Sequence, residues 1–191
     1  MNPQKQSVLY ILLALMLAAS PAQAALNPGD KAPDFTTEAS LGGKPFTFTL
    51  AEALKQGPVV LYFYPAAFTH GCTIEAHDFA EATYDFKLQG ATVIGVSHDT
   101  IETLNKFSVS ECRSKFAVAS DPDGNIIKAY DAVMISKPEL ADRTSYVITP
   151  DHKILYAYSS LDPDQHVANT MQALQDWNAH NSQSSDRPRQ P

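Results

Sequence analysis

The chain has 191 residues, with 14 basic against 21 acidic side chains, a net charge of −7 and two cysteines. That length suits one ordinary domain with a sizeable core, and the acidic balance argues against nucleic acid as a partner. Two thiols are too few for a cysteine zinc site, and neither Cys-x-x-Cys nor His-Glu-x-x-His spacing occurs.

In chain order, residues 1–24 read as a signal peptide: Lys5 gives a short positive start, Val8 to Ala19 an apolar stretch, and Ala22-Gln23-Ala24 a small-x-small cleavage signature. Cleavage is expected after Ala24, giving an exported, periplasmic protein where the host has two membranes, with no membrane contact after signal removal. The competing reading is an uncleaved anchor. The mature chain then holds 13 basic against 21 acidic residues. In an oxidising compartment its two cysteines can form a disulfide, static or cycling.

Ala25 to Phe35 reads as an irregular entry segment broken by Pro28, Gly29 and Pro33. Leu41-Gly42-Gly43-Lys44 suits a hairpin turn, and Pro45 to Leu50 alternates as a strand with one buried face. A short helix, Leu50 to Lys55, stops at Gly57-Pro58. Val59 to Tyr64 is an unbroken apolar strand, and a helix from Cys72 to about Leu88 carries a stripe of Ile74, Ala76, Phe79, Ala80 and Thr83 before Gly90. Ala91 to Ser97 is a second apolar strand, and Asp99 or Thr100 caps a helix ending near Cys112. Phe116 to Ala119 is a short strand, Asp121 to Gly124 a turn, Asn125 to Tyr130 a short helix, and Asp131 to Arg143 a loop. Ser145 to Thr149 and Lys153 to Tyr158 pair through a tight turn. A last helix is expected from Asp162, with Pro163 at its first position and Val167, Met171, Leu174 and Trp177 buried. Residues 181–191 read as a disordered tail, so the domain spans 25–180.

This order predicts an α/β protein with a thioredoxin-like fold, in which a central mixed sheet is flanked by helices on both faces and an N-terminal hairpin extends it. In such sheets the working site lies beyond the carboxyl ends of the parallel strands, where Cys72 falls. A thiol in the first turn of a helix faces free N–H groups and the positive end of the dipole, both of which favour the nucleophilic thiolate. Without further signals, a cysteine there is as readily a small buried hydrophobe. Thr69 and Glu75 occupy the positions where a dithiol exchanger would carry its second thiol.

What surrounds Cys72 instead is Pro65-x-x-x-Thr69-x-x-Cys72, and here the chain resembles the peroxiredoxins. The continuation Cys72-Thr73-Ile74-Glu75 is similar to their bacterioferritin-comigratory, or Q-type, branch. So are Phe63-Tyr64-Pro65, Gly95-Val96-Ser97, Ser120-Asp121-Pro122-Asp123-Gly124 and Arg143-Thr144-Ser145-Tyr146-Val147-Ile148; the resemblance runs from about Gly29 to Trp177. It implies a thiol-dependent peroxidase acting on hydrogen peroxide and small organic hydroperoxides without metal, haem or flavin. Cys72 would be the reacting thiol, Thr69 and Arg143 would hold substrate, and Pro65 would shield the sulfur. A thioredoxin-like protein or small thiol would serve as reductant, and the chain would be a monomer or weak dimer. Read alone, Thr69 is equally an N-cap and Arg143 a surface ion pair; Glu75, one turn after Cys72, is placed to orient either Arg143 or a nearby loop.

The chain departs from the branch at His77, where many members carry a resolving cysteine five residues after the first. Cys112, forty residues on, is the alternative resolver, close to where another group of the branch carries one, and pairing with Cys72 would need local unwinding of a helix end. Cys112 is otherwise a plain buried thiol or an intermolecular one. His70 and His77 invite a metal site with Cys72, but residues 72 and 77 point about 140° apart on a helix. A thioredoxin-fold metal chaperone or a thiol-disulfide protein of the cell envelope is the competing function. His98, His152, His166 and His180 are expected in turns or on polar faces without a nameable partner.

Overall fold

The computed structural model describes residues 25–185; the expected signal peptide and residues 186–191 lie outside them. Seven strands, β1 (Thr36–Leu41), β2 (Lys44–Thr49), β3 (Val59–Phe63), β4 (Thr92–Ser97), β5 (Ala117–Ser120), β6 (Thr144–Thr149) and β7 (Lys153–Ser159), form one sheet in the order β2-β1-β5-β4-β3-β6-β7. β3, β4 and β5 are parallel, and the other pairings are antiparallel. The mixed sheet of the thioredoxin-like expectation is therefore observed, and the β1–β2 hairpin extends it beyond β5.

β3 is buried along its whole length because both faces are covered. Val59, Leu61 and Phe63 enter one apolar layer beneath α1 (Leu50–Leu54) and α4 (Asn125–Ala129). Val60, Tyr62 and the following Tyr64 enter the other, beneath α2 (His70–Leu88), α3 (Ile101–Ser110) and α5 (His166–Ser185). α2 stops where expected. Gly90, at φ 75°, lets Gly90 and Ala91 donate back to the carbonyls of Lys87 and Phe86, satisfying two end carbonyls.

The entry segment holds no regular element, as expected, and it covers the edge of β7: Gly29 donates to the Ile154 carbonyl at 2.8 Å and Ala32 to that of His152 at 2.9 Å. Four expectations need correction. α2 begins at His70 rather than Cys72, with Thr69 as the extended residue before it. α5 begins at His166, four residues after Asp162, because the Asp162 carboxylate accepts from the Asp164 N–H at 3.1 Å and closes a local turn instead of capping the helix. α5 also continues through Ser185, so residues 181–185 are helical; once a helix is nucleated, adding polar residues to its end costs little. Its deepest stripe is His166, Thr170 and Leu174, with Val167, Met171 and Trp177 only half-buried beside it.

Candidate functional site

β3 ends under α2, so the segment from Pro65 to Thr69 is the bridge that delivers Cys72 to the carboxyl end of the parallel strands. Asp99, just past β4, accepts the Ala67 N–H and the Ser97 hydroxyl, both at 2.7 Å, while the Ser120 hydroxyl donates to the Asp99 carbonyl at 2.7 Å. Asp99 was a candidate helix cap; it instead ties the bridge to β4 and β5, and no sequence signal separated the two uses. Phe68 closes the bridge at φ 63°, its ring edge-on to Phe107 of α3 at 5.2 Å. A bulky residue in that region stores backbone strain, on the order of 1–3 kcal/mol.

A glycine just before a helix is ordinarily there to turn the chain, but Gly71 is helical and has no positive φ. Its missing side chain serves a different purpose, since a Cβ there would stand 3.0 Å from Arg143 Nη2. The guanidinium occupies that space and donates from Nη2 to Cys72 Sγ at 3.6 Å. Nη1 donates to Glu75 Oε2, and Nε to the Leu161 carbonyl at 3.0 Å. Cys72, Glu75 and Arg143 are all buried. A cation this close, together with the free N–H groups of the first turn of α2, stabilises negative charge on the sulfur. Burial pushes the Glu75 carboxyl up to about 8, against the downward pull of Arg143. For Arg143, the Glu75 and Cys72 charges outweigh its own burial and raise it.

Thr69 is exposed, and its side chain does not cap α2; its hydroxyl hydrogen goes to the Ala66 carbonyl at 2.9 Å. The oxygen therefore presents lone pairs outward and can accept a hydrogen bond from a ligand. Pro65 is half-buried at the start of the same bridge.

His166 departs most from expectation. It is fully buried, with Nε2 2.9 Å from the Ser160 carbonyl, Nδ1 2.8 Å from Ser145 Oγ and Nδ1 3.6 Å from Glu75 Oε1. Sequence reasoning missed it because the helix start was placed too early, which put His166 on a polar face.

Cys112 lies just past α3, fully buried in the same apolar layer as Cys72, and both thiols are free. Burial, and then the neighbouring Glu111 charge, push the Cys112 thiol up. The backbone after it is strained: Arg113 and Ser114 sit at φ 50° and 55°. Two contacts hold this segment to α2, Glu111 to His77 at 2.9 Å and Arg113 to Glu81 at 2.9 Å. His77 is thus turned to Glu111, and His70 is exposed. Among the described residues no three His, Cys, Asp or Glu side chains gather as a metal site, and no helix is long and apolar enough to cross a membrane.

A thioredoxin-like sheet whose one site thiol opens a helix against a buried guanidinium, with no second thiol in that turn, describes a thiol peroxidase rather than a dithiol exchanger. The family model for AhpC/TSA matches residues 28–157. A Mycobacterium tuberculosis (strain H37Rv) protein with a peroxiredoxin name is 36% identical over 148 residues, covering 75% of this chain and 91% of that protein. Peroxiredoxin Q, chloroplastic, of Triticum aestivum is 32% identical over 151 residues, covering 78% and 67%. The crystal structure of peroxidoxin BcpB from Mycobacterium tuberculosis matches with a TM-score of 0.70 and 31% identity, covering 79% of this chain and 97% of that one. The chain belongs to the AhpC/TSA family as a peroxiredoxin of the Q type, and so is a thiol-dependent peroxidase.

Proposed function

We propose that Cys72 is the sulfur that attacks the peroxide. The observation that carries this reading is the Arg143 guanidinium, held on Cys72 Sγ by the Glu75 carboxyl group and the Leu161 carbonyl. The Cys72 thiolate attacks one peroxide oxygen along the O–O axis. A sulfur–oxygen bond forms, the O–O bond breaks, and the departing oxygen leaves as water or an alcohol after taking a proton. Negative charge develops on that oxygen during the break, where guanidinium and first-turn N–H donors stabilise it. Thr69 Oγ1 accepts from the substrate hydroxyl, and Pro65 screens the sulfur from bulk water. Hydrogen peroxide and small organic hydroperoxides fit such a site.

The product is the Cys72 sulfenic acid. Cys112, as thiolate, attacks its sulfur and forms the disulfide while the sulfur–oxygen bond breaks, and the departing hydroxide takes a proton and leaves as water. A thioredoxin-like protein or small thiol then returns both sulfurs to the reduced state by two-electron exchange. Both thiols are buried and free, and opening of the Glu111 to Phe116 segment is the local unwinding that brings them together. Lys5, the apolar run from Val8 to Ala19 and the Ala22-Gln23-Ala24 signature support export to the periplasm; mass measurement of protein from the cell envelope should give a chain starting at Ala25. A monomer or weak dimer is the solution state we expect.

Stopped-flow reaction of the reduced protein with peroxide, followed by mass spectrometry of both cysteines, tests the reading. Cys72→Ser should abolish peroxide consumption. Cys112→Ser should keep the first oxidation, accumulate sulfenic or sulfinic Cys72 and lose disulfide-dependent turnover. Full turnover of Cys112→Ser with a thioredoxin donor would remove Cys112 from the mechanism.

A further inference from the structure

The guanidinium on Cys72 is fixed at two points, the Glu75 carboxyl group and the Leu161 carbonyl, and one buried side chain stands behind both. We propose that His166 is a positioning residue for the Cys72 reaction, holding the Ser160–Leu161 loop and facing Glu75 so that Arg143 stays clamped on the sulfur. The inference rests on Cys72 being the reacting thiol.

The route through the loop is short. His166 Nε2 lies 2.9 Å from the Ser160 carbonyl, the Ser160 N–H donates to the Arg143 carbonyl at 3.1 Å, and the next carbonyl, Leu161, accepts Arg143 Nε at 3.0 Å. A carbonyl can only accept, so Nε2 carries the hydrogen and the neutral ring has Nδ1 as its acceptor. The Ser145 hydroxyl, 2.8 Å away, donates to Nδ1. This leaves Glu75 Oε1 buried and without a hydrogen bond, 3.6 Å from Nδ1, while Oε2 is held by Arg143.

The arrangement works with a neutral ring. A proton added at Nδ1 would remove the acceptor that takes the Ser145 hydroxyl and set a second buried cation beside the Arg143 guanidinium, pushing it off its clamp. The charged groups facing the ring are Glu75 from α2, Arg143 and Asp142 at the entry to β6, and Asp162 in the loop before α5; from β7, the Tyr158 ring packs edge-on at 4.8 Å. Burial is the main influence and pushes the imidazole down to about 4, with the Arg143 charge adding to it. Near neutrality the ring is therefore uncharged and leaves Glu75 to Arg143.

The test is the second-order rate of Cys72 oxidation by hydrogen peroxide across pH, in the full chain, for wild type, His166→Leu and His166→Gln. Glutamine keeps an N–H for the Ser160 carbonyl but cannot titrate. Loss of the clamp should slow His166→Leu about 10- to 100-fold at neutral pH. His166→Gln should recover most of that rate and lose the step near pH 4 that His166 protonation adds, in wild type, to the acid fall shared by every variant as thiolate is lost. If His166→Leu does not fold, the pH profile of His166→Gln decides alone, and a profile matching wild type overturns the proposal. Equal slowing of both variants with the step near pH 4 intact also overturns it, since that is the signature of a packing role. A wild type that does not react with peroxide overturns both this inference and the assignment of Cys72; a reactive wild type matched by both variants overturns this inference alone.

Discussion

Gly71 and Arg143 share one volume, and that fact separates activity from stability at a single residue. Gly71→Ala places a methyl 3.0 Å from Nη2, at a helical position where alanine is favoured over glycine by about 1 kcal/mol. The variant should melt no lower than wild type yet oxidise about tenfold or more slowly, because the guanidinium is pushed off the sulfur. Thermal melting with stopped-flow oxidation checks this, and a parallel loss of both would tell against the steric argument. Glu75 gives a second prediction at this scale. Its folded value of about 8 lies above its ordinary 4.5, so its stabilising contribution is full below 4.5 and is lost as pH rises through 8. His166 has the opposite sign: its contribution is full above 6.5 and is lost as pH falls through about 4. Between 6.5 and 8 only the Glu75 slope remains, and denaturant titrations should show Glu75→Gln flattening the fall in stability there.

At the scale of elements, the segment after α3 has the features needed for opening. It places Cys112 inside the core, then two consecutive non-glycine residues at positive φ, and it is held to α2 by one exposed ion pair, Arg113–Glu81, of the kind worth about 0–1 kcal/mol, and by the His77–Glu111 contact. Weak fastening and stored strain make this segment easier to release than the β3 core. Ser114→Gly, at φ 55°, removes strain without touching either thiol and should stabilise the fold by about 0.5–1 kcal/mol. If opening precedes the Cys72–Cys112 disulfide, that variant should form the disulfide more slowly while its first oxidation is unchanged, as rapid-quench mass spectrometry would show.

For the whole molecule, the acidic net charge of −7 bears on the protein partner rather than on peroxide. Hydrogen peroxide is neutral, so the surface field does not steer it, and the buried guanidinium is only weakly screened by salt. Oxidation of Cys72 should therefore be nearly independent of ionic strength. Reduction by a charged protein donor should respond to salt, with the sign of the response giving the sign of the donor's docking face. Stopped-flow titration at low and high salt separates the two half-reactions.

Local sequence determined those parts of the protein that depend on short-range rules. Unbroken apolar runs specified β3 and β4 as strands buried on both faces, Gly90 ended α2, and Pro65, Thr69 and Cys72 marked the bridge, because each of these is decided by residues a few positions apart. Arg143 and Glu75 were legible as site residues only through their family setting. Tertiary structure alone decided the rest, through contacts between residues far apart in the chain. Gly71 proved to be a space for a guanidinium 72 residues away, Asp99 an anchor for the bridge, and His166 a buried neighbour of Glu75 on another helix. A side chain's pattern records which face it takes along its own element. The atom it meets across the core is fixed only when the elements pack.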